Sequence, residues 1–555
     1  MQNSITDLLT RMLKEALNKA GLPVPDEVAW EVPREESHGD YATNAALALA
    51  RAAKQAPRQI AEAIKTCLPS SPLVAKLEIA GPGFLNVFLA PDWCAEALKG
   101  ILADGAAYGT SQAGQDKRIL LEFVSANPTG PLVIVNARAA AVGDALARLL
   151  RSQGHGVACQ FYVNDAGNQF QALARSVDVR LRQALGEAAE LPQSSYPGEY
   201  LVDLVTKWLA TDPAGMRAVA ALPVAVRLER LGRMAVADMV AGQRAVLEAY
   251  GTRFDTWAHE QADVRERQLP ERAIAALQAA GHTYEQDGAL WFRSTAFGDD
   301  KDRVLRKSDG ELTYFAVDIA FHHFAKFGRA DWVIDFLGPD HHGHIQRMKA
   351  AMEALGHPPE RFDALIVQLV TLLRDGHPVR MSKRRGEFVL MEELIDEVGK
   401  DAARFTFLTR RHDSPLDFDL AVATRQSADN PVFYVQYVHA RVTSLFRTAA
   451  EQHIAVPSWD QVDFRPLNLP EEQTIIKRLL QYPSLVAGAA RSREPHRIAY
   501  YLSELAGLYH PYYKSRRVIT EDRALTLARL GLAAAVGQVV RNGLDLLGVS
   551  APESM

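Results

Sequence analysis

The residues best suited to chemistry begin at 121–132, LEFVSANPTGPL. Ser125 and Asn127 place short polar groups at the end of an apolar run, where they can bind an amino group. Pro128, Thr129 and Gly130 stiffen the backbone that follows, and Glu122 stands just ahead as a candidate acid. A strand-to-helix turn of this kind aims free backbone N–H groups and the positive helix end at phosphate; the plain alternative is a turn and a helix cap. Residues 380–389, RMSKRRGEFV, carry a second feature. An ammonium such as Lys383 has three donors and suits charge building on phosphates, although most basic clusters are solvated loops. In GPDHHGH, residues 338–344, a Gly-x-Asp-His turn follows the strand-like DWVIDFL, so Gly338 and Asp340 can meet a nucleotide ribose and His342 a substrate. Zinc on His341, His342 and His344 is disfavoured, because adjacent histidines point differently and no cysteine joins them. Tyr314 and Asp318 lie four apart and share one face if helical. Alone, they read as a core ring and a surface acid.

Positioning these residues calls for an α/β framework. From Arg118, the strand-like runs RILLEFV, ACQFYV, WVIDFLG and ALIVQLV alternate with helical stretches, the first from Ala137 to Ser152. That alternation predicts a doubly wound, parallel Rossmann-type sheet with ligands beyond the carboxyl ends of its strands. Ahead of it, residues 1–110 read as an α+β module with a strand–turn–strand around Gly81, Pro82 and Gly83, followed by a linker across Ala103–Asp116. A mostly helical insertion spans about 170–310, with a strand pair near YEQDGALWFRST. After about 420 only helical patterns remain, predicting an all-α bundle.

At 555 residues the chain is too long for one core. Its 48% hydrophobic and 23% charged residues are ordinary for a globular protein. A net charge of −5 excludes a uniformly basic nucleic-acid coat but not a local basic face. Cys67, Cys94 and Cys159 show no metal-ligand spacing, and three scattered cysteines fit a reducing cytoplasm. The N-terminus has helical spacing at Ile5, Leu8, Leu9, Met12, Leu13, Ala16 and Leu17, so it reads as a folded helix. No later segment is expected to cross a membrane.

SANPTGPL and AAVGDALARLLRSQGH closely resemble the first signature region of bacterial-type arginyl-tRNA synthetases. RMSKRRGEFV resembles the Lys-Met-Ser-Lys-Ser loop of class I synthetases, with Met381, Ser382 and Lys383 at the matching offsets, Arg380 for the first lysine and Arg384 for the last serine. HGDYATNAALALA and IAGPGFLNVFL resemble the family's tRNA-elbow module, and NPVFYVQYVHARV and LYHPYYKSRRV its anticodon-binding bundle. The likeness implies a tRNA-elbow module at 1–110, a catalytic domain at 115–375, a signature-loop and stem-contact region at 376–425 and an anticodon-binding domain at 426–555. It implies arginine contacts from Glu122, Ser125, Asn127, Tyr314, Asp318 and His342. A guanidinium needs a carboxylate and a flat wall, which Asp318 and Tyr314 supply, with Glu122 the second acid. ATP contacts fall to Pro128, Thr129, Gly130, Asn136, Gly338, Asp340, Met381 and Lys383, and catalysis to Lys383, Ser382 and Asn136. Asn86, Tyr509, Lys514 and Arg516 become tRNA contacts, while Phe433 and Tyr434 read as bundle core. ATP enters with Mg2+, the partners are tRNA(Arg) and L-arginine, no protein metal site is expected, and a monomer is.

In that family the turn carries His-x-Gly-His; here Val133, Val135 and Asn136 stand at those positions. Two valines cannot donate to phosphate, and the branched side chain at 135 projects where the base would stack. Asn136 retains a neutral donor. The leading reading is an arginine–tRNA ligase, and the alternative a catalytically impaired tRNA-binding relative. Another class I adenylating enzyme is disfavoured by the acidic pocket.

Overall fold

A computed structural model describes residues 5–33, 35–114, 117–193, 195–379 and 389–555. The helix Ile5–Lys19 buries Ile5, Leu9, Leu13, Ala16 and Leu17, the stripe that its spacing requires. It covers an antiparallel sheet of β1 (Tyr41–Thr43), β2 (Val74–Ala80) and β3 (Phe84–Leu89) in the order β1-β3-β2, with the expected turn between β2 and β3.

The expected linker is largely ordered instead. Helix Pro91–Asp104 and the turn Gly105–Ala107 pack on the C-terminal bundle. Asn542 Nδ2 donates to the carbonyls of Gly105 and Tyr108 (2.9 and 3.2 Å), and Tyr108 Oη donates to the Leu479 carbonyl (3.1 Å). Gly109 permits a close approach to the bundle, since a Cβ there would stand 2.6 Å from the Tyr482 ring.

The next strands are β4 (Arg118–Glu122), β5 (Gly156–Val163) and β6 (Thr256–His259). A three-stranded meander follows, made of β7 (Thr283–Gln286), β8 (Ala289–Phe292) and β9 (Arg303–Arg306), then β10 (Trp332–Leu337) and β11 (Phe362–Ile366). The parallel sheet runs β11-β10-β4-β5-β6. Its winding direction reverses between β4 and β10, which opens a crevice at their carboxyl ends. All four strand-like runs are strands, but β6 lies inside the stretch read as a helical insertion. Its TWAH is too short to show a period, and only pairing with β5 makes it a strand.

Helix Ile134–Ser152 leaves the turn after β4 and is buried along nearly its whole length. Gly143 lets it lie against the turn, since a Cβ there would stand 2.3 Å from the Phe123 ring. A smaller sheet of β12 (Val370–Arg374), β13 (His377–Pro378) and β14 (Leu416–Asp419) follows the main one. Arg138, wholly buried on the signature helix, donates to the carbonyls of Gln368, Leu369, Arg411 and Ser414 at 2.7–3.3 Å, fastening that region to the turn.

Helices from Pro431 to Leu547 complete the bundle. Arg523–Leu547 is long and apolar enough to span a bilayer by length and composition, contrary to the expectation. Here it is the bundle's central helix, with buried residues from Thr526 to Leu547.

Candidate active site

Parallel register sets three polar residues abreast at the carboxyl end of the sheet: Glu122 on β4, Asp335 on β10 and Gln160 on β5. Immediately after Glu122 the chain turns sharply. Val124 has φ +68° and Ser125 φ +34°. A β-branched residue is strained in the left-handed region, at about 1–3 kcal/mol. That turn directs Ser125 Oγ back to donate to Glu122 Oε1 (3.2 Å) and accept from the Tyr162 backbone N–H (3.1 Å).

The insertion holds the rest of the turn. Buried Gln243, on helix Val224–Ala249, donates through Nε2 to the carbonyls of Asn127 (3.2 Å) and Gly130 (2.9 Å). Tyr200 Oη donates to the Thr129 carbonyl. Asn127 is exposed, whereas Pro128 is buried and Thr129 and Gly130 are half-buried.

Tyr314 and Asp318 stand one turn apart on helix Tyr314–Ala320, whose cap Thr313 accepts from the Ala316 N–H. Tyr314 is 60% exposed, so it is not the core ring that its type suggests. Asp318 keeps 38% of its side-chain surface open. Protein otherwise surrounds it, and burial pushes its pKa up to about 6; Glu260 and Glu122 add to this, while His322 and Lys326 oppose it. His344 Nε2 lies 3.6 Å from Asp318 Oδ2, and burial holds the His344 pKa at about 4. Gly338 follows β10, where a Cβ would meet Asp340 Oδ1 at 2.7 Å, and Asp340 is exposed. The side chain of His342 lies outside the described part of the structure.

Behind these groups lies a charged layer that sequence reading missed. Helix Tyr314–Ala320 continues as a wider π-turn, Phe321–Lys326, a form common near functional sites. Lys326, 1% exposed at its side chain, contacts Asp335 (2.7 and 2.8 Å) and Glu122 Oε2 (3.0 Å). Gln160 Nε2 also donates to Glu122 Oε2 (3.1 Å). His322 faces the Asp318 carbonyl through Nδ1 (2.7 Å) and Asp335 through Nε2 (2.6 Å). A carbonyl only accepts, so Nδ1 is the donor. Tyr162 Oη donates to buried Glu260 (2.9 Å), which Arg265 also binds at 2.7 Å. The missed signal was a polar residue at every fourth position, Tyr314, Asp318, His322 and Lys326, within apolar sequence.

On the nucleotide side the helix starts at Ile134, three residues earlier than expected, with Val133 as its cap. Asn136 Oδ1 accepts from the Val133 N–H (2.9 Å). The Ile134 N–H donates to the Val389 carbonyl, the Met391 N–H to the Leu132 carbonyl, and Val133 bridges Leu390. The first signature turn is thereby paired with the residues just after the second signature segment. Met381, Ser382 and Lys383 themselves, with Arg380 and Arg384, lie outside the described residues.

Two expected tRNA contacts are buried. Asn86 is 5% exposed on the central strand β3, and Tyr509 is fully buried among helices. Lys514 and Arg516 are exposed, and Arg516 binds Glu471 at 2.6 Å. Phe433 and Tyr434 are half-buried rather than core, with Tyr434 packed on His510 and Phe433 on Tyr437.

A doubly wound sheet whose first signature turn lies at the switch point and pairs with residues 389–391, followed by a helical bundle, is the plan of a class I aminoacyl-tRNA synthetase. Comparison gives the particular family. The profile "tRNA synthetases class I (R), catalytic domain" matches residues 97–194 and 232–420, "Arginyl tRNA synthetase N terminal domain" matches 7–89, and "DALR anticodon binding domain" matches 435–555. The chain is 48% identical to an arginine–tRNA ligase of Syntrophotalea carbinolica, over 95% of each chain. It is 47% identical to that of Symbiobacterium thermophilum, over 96% of this chain and 95% of the relative. The solved arginyl-tRNA synthetase of Thermus thermophilus superposes with a TM-score of 0.78 at 25% identity, covering 99% of this chain and 100% of that one. The chain belongs to the class I arginyl-tRNA synthetases.

Proposed function

We propose that the crevice between β4 and β10 divides its work between two sides of one turn. The protein is an arginine–tRNA ligase: ATP activates arginine, and the arginyl group passes to the 3′ end of its tRNA. In our reading Asp318 meets the guanidinium and Tyr314 walls it, with His342 alongside. Glu122, Ser125 and Asn127 receive the α-amino group. The bond from Ser125 Oγ to Glu122 supports this, because it points both groups to the same spot at the strand end.

ATP lies along Pro128, Thr129, Gly130 and Asn136 on one side and Gly338 and Asp340 on the other. The arginine carboxylate attacks the α-phosphorus, forming arginyl-adenylate and releasing pyrophosphate; a terminal ribose hydroxyl of the tRNA then attacks the activated carbonyl. No side chain has to act as nucleophile, so positioning and electrostatics carry the rate. Lys383, with Ser382 and Met381, is assigned to the phosphate charge, and the Asn136 amide to a phosphate oxygen. Mg2+ enters on the phosphates of ATP.

Lys514 and Arg516 supply phosphate contacts in the anticodon bundle. The site is assembled within one chain, which supports a monomer as the working unit. Free cysteines at 67, 94 and 159 support a reducing, cytoplasmic setting.

The observation that carries this reading is the convergence of Glu122 and Asp318 on one charged layer at the sheet's switch point. Arginine-dependent ATP–pyrophosphate exchange with tRNA present tests it, together with calorimetric titration of L-arginine. Glu122→Gln and Asp318→Asn are each expected to weaken arginine binding; unchanged binding in both overturns the assignment.

A further inference from the structure

Four carboxylates, Glu122, Asp318, Glu260 and Asp335, crowd the floor and back of the arginine pocket. Lys326 and Arg265 bind them directly, Lys326 bridging Glu122 and Asp335 and Arg265 holding Glu260. L-Arginine brings a guanidinium and an α-ammonium to this acidic cluster.

We propose that Lys326 is a positioning residue for arginine recognition: it fixes the Glu122 carboxylate for the substrate's α-ammonium while cancelling Asp335. This rests on the assignment of Glu122 to the amino acid. Lys326 sits behind the carboxylates, out of reach of solvent, so its own charge is committed to the protein. Its three donors go to both oxygens of Asp335 and one of Glu122. Gln160 Nε2 shares that Glu122 oxygen, and Ser125 takes the other. Glu122 is therefore gripped from three elements, and Lys326 is the only one of those three partners that bears charge.

The groups facing Lys326 are Asp335 on β10, Glu122 on β4, and His322 and the Phe321 ring on its own helix. Burial works against the ammonium, but Asp335 and Glu122 outweigh it and its pKa is raised, so it stays charged across the working range. Burial likewise pushes Asp335 up, and Lys326 and His322 override it and hold that carboxyl low.

Take away the ammonium and two carboxylates face each other with no cation between them, so a proton takes its place. That proton must leave, or Glu122 must turn, before the α-ammonium can bind. A residue that merely balanced Asp335 for folding would have no such link to the substrate.

The test is calorimetric titration of L-arginine between pH 6.5 and 8.5 for the full chain, Lys326→Met, the double variant Lys326→Met with Asp335→Asn, and Glu122→Gln. Lys326→Met is expected to bind arginine roughly ten- to hundredfold more weakly at pH 6.5, to recover toward pH 8.5, and to release more protons on binding than the unaltered chain. The double variant removes one charge of each sign, which keeps the fold testable if the single variant does not fold; it is expected to remain defective in arginine binding. Arginine binding by the double variant equal to that of the unaltered chain would show that Lys326 serves only Asp335, and would overturn the proposal. A pH-independent loss in Lys326→Met overturns it too. Failure of Glu122→Gln to weaken binding instead overturns the assignment of Glu122, which separates the two conclusions.

Discussion

The two sides of the active-site turn are built on opposite principles. On the side proposed for arginine, Glu122 is bonded to Ser125, Gln160 and Lys326, and Asp335 to Lys326 and His322, so each of those charges has been placed by several elements. On the side proposed for ATP, Val133 and Val135 offer only hydrocarbon, and Asn136 Oδ1 accepts from the Val133 N–H at the start of its own helix. If these proposed roles hold, arginine recognition and nucleotide activation are expected to respond separately to substitution.

That separation can be broken from either side. Installing His, Gly and His at 133, 135 and 136 is expected to raise ATP–pyrophosphate exchange the most, by roughly 10²-fold or more, since each preorganised donor is worth about 10²–10³ in rate. The dissociation constant for arginine should not move. If exchange stays put, these positions do not limit activation.

Asp318→Asn attacks the other side. Loss of a charged partner for the guanidinium should weaken arginine binding by roughly ten- to hundredfold, with ATP binding unchanged by titration. A parallel loss of ATP affinity would mean that the two sides are not independent.

Acid should imitate that substitution. Asp318 titrates at about 6, so it is neutral below that pH and charged above. Arginine binding should strengthen as pH rises through 6, level off above it, and fall about tenfold per pH unit below it. A flat profile from pH 5 to 7 would remove Asp318 as the guanidinium's counter-charge.

Gln243→Leu sharpens the comparison from beneath, because Gln243 holds the turn that both sides share. It strips a donor from the carbonyls of Asn127 and Gly130. Arginine and ATP affinities should both drop, by about tenfold or less. A loss confined to one ligand would show that the turn is not a single rigid unit.

Much of this was legible in the chain. Period-two and apolar runs identified β4, β5, β10 and β11, and the turn residues after β4 marked where the ligand crevice lies. Strand β6 was not legible, since four residues hold too little pattern to betray a partner. Nor was Gln243: a glutamine in a long amphipathic helix has no local sign that it supports a turn more than a hundred residues away. Lys326 was half visible. Polar residues at every fourth position from Tyr314 drift about 40° per step on an α-helix, so the stripe looks imperfect. The wider π-turn at Phe321–Lys326 takes up that drift. Asn86 and Tyr509 misled in the opposite direction, as polar and aromatic residues in tRNA-facing modules that packing buried.

By itself, then, the sequence determined the order of the modules, the strand-end turn and the types of side chain offered to arginine and ATP, because these follow from local periodicity and from residues adjacent in the chain. Tertiary structure alone decided which charges meet. Glu122, Asp335 and Gln160 stand abreast through the parallel register of β4, β10 and β5, and Lys326 reaches them from a helix outside the sheet. Electrostatic interaction acts through space rather than along the chain, so the balance of the arginine pocket existed only once the sheet had closed around it.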